Sequence, residues 1–166
     1  MPELKPLNPQ SIGRCLERAE RYRLLSEPVE AESICLDVLE ADADNQKALV
    51  MLLLSLTDQF DEGESGVVAR AQEVARKLPD EYERAYYAGI VAERRAKAQL
   101  RRGGPGSSYS AYACLKEALA LFEKAEAIRP AGNDDSILRY TACVRILKRH
   151  PDLTEAPRED REPPLE

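Results

Sequence analysis

The sequence predicts an all-α fold of seven helices, and three observations carry that expectation. Large apolar residues recur at three-and-four spacing, as in Leu115, Leu119, Phe122 and Ile128, with small Ala118 and Ala125 between them. That spacing marks one buried face of a helix. No segment alternates apolar and polar residues with β-branched enrichment, so no strand is expected. The periodic segments are separated by short breaks rich in Pro, Gly, Asn and Asp.

Residues 1–11 carry Pro2, Pro6 and Pro9 and are read as an extended arm. The first helix spans 12–25 and stops at Ser26, Glu27 and Pro28. Proline is tolerated only in a helix's first turn, so the second helix starts at 28 and runs to 41. A polar turn over 42–45 leads to a third helix, 46–60. Two glycines and three acids over 61–66 divide it from the fourth, 66–78. Leu78, Pro79 and Asp80 stop that helix, and Asp80 with Glu83 has the spacing of a capping box for the fifth, 81–102. Gly103, Gly104, Pro105, Gly106, Ser107 and Ser108 form the longest interruption, within a loop over 103–110. The sixth helix, 111–128, ends before the Pro, Gly and Asn of 130–134, and the seventh covers 134–149. Short connections make neighbouring helices antiparallel. The final stretch, 150–166, holds six acidic and two basic side chains and four prolines, and is expected to be a disordered tail.

Composition narrows the function classes. The 166 residues suit one domain with a core. A net charge of −6 and an aromatic content of 5% without Trp argue against a nucleic-acid partner. The most apolar run, 48–56, is too short to span a bilayer, and the N-terminus lacks a signal-peptide pattern. Cys15, Cys35, Cys114 and Cys143 are widely spaced, form no CxxC pair, and read as small core residues. No cofactor or metal is expected, and a reducing, cytoplasmic setting fits best.

The helices repeat. Ala118 is followed by Phe122, Ala125 and Pro130 at offsets of four, seven and twelve. Ala31, Cys35, Val38 and Ala43 keep the same offsets, and Val67, Ala71, Val74 and Pro79 keep them with small and large places partly exchanged. A small residue lets two helices approach closely, and a bulky one fills the groove beside it. Ala19 stands twelve residues before Ala31. Mid-helix Gly89, beside Ala85 and Ala88, implies a close helix contact, since glycine there costs about 1 kcal/mol against alanine.

On these residues the chain resembles the tetratricopeptide repeat family, whose unit is 34 residues in two antiparallel helices. The best match runs from Ala118 through Phe122 and Ala125 to Pro130. Residues 12–45 make a unit of 34, residues 46–81 one of 36, and residues 82–132 one of 51 that contains the Gly-rich insertion 103–110. Residues 133–149 would be a capping helix. Ala43 replaces the closing proline of the first unit, and Leu53 stands where the second should be small. The resemblance implies an α-solenoid of stacked helix pairs coiled into a right-handed superhelix, whose inner surface binds a peptide or helix of a partner protein. The first helix of each pair would line that surface with Leu16, Glu20 and Arg23, then Lys47, Val50 and Leu54, then Tyr86, Ile90 and Arg94, with Ile137 and Arg145 from the last helix. Apolar anchors mixed with cations suit a segment with some negative charge. Family members that clamp a terminal carboxylate use Lys, Asn and Arg, and no Asn falls on this inner set.

Catalytic chemistry finds little to use. His150 is the only histidine, and it sits at a helix end, where a cation suits the dipole. The loop after Arg101 and Arg102 lacks the preceding strand, glycine spacing and Lys-Ser or Lys-Thr of a phosphate cradle. Arg94, Arg95, Lys97, Arg101 and Arg102 read as a solvated helix face; their other reading is an anion ridge, on which the acidic tail would dock. Asp61, Glu62 and Glu64 lack calcium-loop spacing. The expected function is therefore a non-enzymatic protein-binding adaptor. The alternatives are a self-assembling homo-oligomer, using the run 48–56 if exposed, or a helical domain binding a small ligand or phosphate.

Overall fold

The computed structural model describes residues 1–63 and 66–157; Glu64 of the acidic turn and residues 158–166 of the tail lie outside the described residues. Seven α-helices follow in order: α1 (Ile12–Leu24), α2 (Pro28–Ala41), α3 (Gln46–Thr57), α4 (Val67–Lys77), α5 (Glu81–Arg102), α6 (Ser107–Ala127) and α7 (Asp135–Arg149). No strand occurs among the described residues, and none of their helices is long and apolar enough to cross a membrane.

Local chemistry explains the helix starts. Asn45 Oδ1 accepts from the Ala48 N–H at 3.0 Å, and Asp80 Oδ1 accepts from the Glu83 N–H at 2.8 Å, so two otherwise orphaned amides are satisfied. Pro28 occupies the first turn of α2. α1 ends with Ser26 in the left-handed region, φ 61°, and the Glu27 N–H reaches back to the Tyr22 carbonyl at 2.9 Å.

Three boundaries depart from the sequence expectation by more than one residue. α6 begins at Ser107, so the Gly-rich connection spans only 103–106 rather than 103–110. Gly106, at φ 76°, turns the chain directly into the helix, and Ser107 and Ser108 form its first turn. α3 stops at Thr57, and a 3-10 turn, Phe60–Glu62, tucks the Phe60 ring into the core. The arm is not wholly extended: Pro9–Ser11 form a second such turn, capped by the Asn8 side chain.

Packing follows chain order. Each helix packs on the next, and in addition α1 meets α3, α3 meets α5, and α5 meets α7. The odd-numbered helices therefore stand in one row. Small Ala19, Ala31, Ala71, Ala118 and Ala125 are wholly buried, as their spacing predicts for helix contacts. One apolar cluster joins α1 to α4 through Leu49, Leu52, Leu53 and Leu56. A second joins α5 to α7 around Leu115 and Phe122, and Leu54 and Tyr87 pack against both.

The segment after α7 differs from its expectation at one residue. Leu153 is only 6% exposed and joins the second cluster, so the chain is held against the fold four residues beyond the helix end. Burial of one leucine outweighs the charge and proline content around it.

Candidate functional site

A groove of about 930 Å³ opens along the row of odd-numbered helices. Its floor is Leu54 of α3 with Tyr86, Tyr87 and Ile90 of α5. Its walls carry Glu20 and Arg23 from α1, Asp58 and Asp61 from the turn after α3, Arg94, Lys97 and Arg101 from α5, and Arg139 from α7.

Helix length sets how far the groove extends along α5. α1 and α3 have 13 and 12 residues, whereas α5 has 22. At 1.5 Å per residue α5 outreaches α1 and α3 by roughly 14 Å, so the groove runs from beside α3, at Tyr86 and Ile90, to the turn after α3, where Arg101 meets Asp61. Glu20, Arg23, Leu54, Tyr86, Ile90 and Arg94 line it, as the inward set proposed. Leu16, Lys47 and Val50 lie one or two turns upstream on α1 and α3, outside the lining. On α7 the groove meets Arg139, not Ile137 or Arg145; those two positions belong to other sides of that helix.

The charged walls are cross-tied. Asp58 accepts from Arg23 Nε at 2.7 Å and also from Arg94 Nη1, so one carboxylate links α1, α3 and α5. Asp61 accepts from Arg101 Nε at 2.9 Å. Glu93, fully buried on α5, takes both arms of Arg139, with Nε donating at 2.9 Å, and pairs with Lys97 one turn along. All five groove cations thus already hold acids. The basic stretch 94–102 is largely tied to the acids of the fold, and the tail acids expected to dock there include residues outside the described ones.

Burial sets the protonation states. The Tyr86 phenol is pushed up to about 12, chiefly by desolvation and then by Asp135, and stays neutral through the physiological range. The Cys143 thiol, beneath the Glu93–Arg139 pair, is likewise pushed up to about 12 by burial. Arg139 loses something to desolvation, but the Glu93 carboxylate outweighs it and lifts the guanidinium above its usual value. Tyr86 is fixed by its neighbours: its ring centroid is 5.8 Å from Tyr82, stacked, 5.0 Å from Tyr87, edge-on, and 5.9 Å from Phe122.

Sequence reasoning missed Asp58, Glu93 and Arg139. Their partners lie 35 to 46 residues away in the chain, and no local spacing announces such pairs. The chain matches no protein-family model, no curated protein and no solved structure.

Proposed function

We propose that the chain is a non-enzymatic module of stacked tetratricopeptide-like helix pairs that holds a short segment of a partner protein in the groove. The observation that carries this reading is the groove itself: an apolar, aromatic floor of Leu54, Tyr86, Tyr87 and Ile90, walled by charged side chains. A space of this size takes several side chains of an extended or helical segment. The contacts α1–α3, α3–α5 and α5–α7 are those expected of a stack, in which each pair buries a face on its neighbour and leaves an inner row.

The groove also defines the partner's chemistry. Apolar or aromatic side chains would seat on the floor, where desolvation rewards them. Carboxylates of the partner would have to exchange with Asp58 and Asp61 for Arg94 and Arg101, so they gain only the difference between two similar pairs. Anchoring is therefore apolar first, and acidic groups on the partner fix its register.

Selection of displayed short peptides on the purified chain, followed by affinity measurement, tests the reading. Leu54→Ala and Tyr86→Ala should each weaken a selected peptide by about 1–2 kcal/mol, roughly five- to thirty-fold. Leu138→Ala, on exposed α7 surface outside the groove, should leave the affinity alone. Selected peptides whose affinity ignores both groove substitutions would contradict it.

A further inference from the structure

We infer that the outer side of the α1–α2 hairpin is where two copies of this chain meet, each laying its α1 on the other's α2 about a two-fold axis. The first observation is a separation of charge. α1 carries four arginines against two glutamates, whereas α2 carries four acids and no cation. Part of that charge is spent within the fold: Arg23 holds Asp58, and Glu32 holds Arg70 and Gln59. What remains faces outward. Arg14, Arg18 and Arg21 are exposed at intervals of four and three, one stripe on α1 that also holds exposed Glu17 and so keeps a net positive charge, while Glu20 lines the groove. Glu30 and Glu40 are exposed and Asp37 half-buried on α2, and neither these three acids nor the three arginines make an ion pair among the described residues.

The second observation is apolar. Leu24 is 81% exposed, Leu25 60%, Val29 54% and Leu36 47%, all on this one hairpin or its turn, and of these only Leu24 also edges the groove. The exposed Tyr109, Ile128 and Leu138 are scattered over α6 and α7 instead. The run 48–56, the sequence's candidate for self-association, is no rival: Leu49, Leu52, Leu53 and Leu56 are core, and only Val50, Met51 and Leu54 are half-buried. The third observation is position. α3 has helices on both sides, whereas α1 and α2 pack chiefly on each other and on α3.

Charge pattern singles out the occupant. A surface with one basic and one acidic helix is complementary to itself under a two-fold rotation, because α1 meets the partner copy's α2 and α2 meets its α1. Setting α1 on α1 would oppose arginine to arginine. The leucines of the turn and Val29 and Leu36 supply the desolvated part of the contact. Two short helices make a small interface, so the dimer is a micromolar one whose ionic part is screened by salt.

Sedimentation velocity on the full chain across concentration tests this. The expected result is a monomer–dimer equilibrium that weakens several-fold from low to high salt. A variant with Arg14→Glu, Arg18→Glu and Arg21→Glu should be monomeric where the native chain is dimeric, and so should one with Glu30→Arg, Asp37→Arg and Glu40→Arg. Mixed in equal amounts, the two should form a heterodimer, since each then offers what the other lacks. Circular dichroism checks that both fold; should either fail, the salt dependence of the native chain still decides. A native chain monomeric at every concentration would overturn the inference, as would a dimer indifferent to salt, reversed variants that do not pair, or a dimer lost through Leu54→Ala and Tyr86→Ala.

Discussion

Gly89 stands in the middle of α5, where alanine is ordinarily the better residue by about 1 kcal/mol. The structure supplies the reason for the exception. A β-carbon at Gly89 would lie 2.6 Å from Phe122 Cε1 and 2.8 Å from Cδ1, and Phe122 is completely buried. The ring therefore packs directly on the α5 backbone, and the two longest helices close on that point. Sequence reasoning could see that Gly89 needed a close neighbour and that Phe122 was core. It could not see that they were the same contact, because a helical period reports a face and not what lies across from it. Gly89→Ala should destabilise the chain by about 1–3 kcal/mol in urea denaturation, the propensity gain notwithstanding. Adding Phe122→Leu should return part of that loss, since the smaller side chain vacates the clash. Equal stability of Gly89→Ala and the native chain would mean that the helices are free to separate there.

At the scale of elements, α2 and α5 occupy the residues that periodicity and proline placement predict, and α1, α3, α4 and α7 differ only near their ends. α6 was the exception, because Ser107 and Ser108 look like loop while Gly106 already supplies the turn into helix. How α7 is tied to α5 was not legible at all. Glu93 has no exposed surface, and both Arg139 and Lys97 pair with its carboxylate. A carboxylate buried without such partners would be costly, so the pair acts as a specific clamp between α5 and α7. Arg139→Met should cost about 1.5–3 kcal/mol, the worth of hydrogen bonds to a charged group. Pairing it with Glu93→Leu should recover much of the loss, because the stranded charge is then gone. Hydrogen exchange should show the amides of α7 opening first in the single variant. Unchanged exchange in α7 would place the clamp's effect elsewhere.

At the scale of the whole molecule, the sequence conveyed the number of helices, their order and the small residues that let them approach. The groove followed only in part, for a physical reason. The inward set was read by extending one face along whole helices, whereas the open space takes in only the C-terminal halves of α1 and α3, together with the turn after α3 and one side of α5. Leu16, Lys47 and Val50 share the expected face and still lie outside the lining, while Asp58, Asp61 and Arg139 enter it from a turn and from another helix. Leu153 extends the same lesson, since a single leucine in a charged, proline-rich stretch gives no period to read. The central claim is that this groove receives a segment of a partner protein. Amide and methyl chemical shifts of the full chain, recorded while a selected peptide is titrated in, test it most directly. The account predicts the largest changes at Leu54, Tyr86, Tyr87, Ile90 and Arg94; changes confined to α2, α4 and α6, with these five residues unmoved, would contradict it.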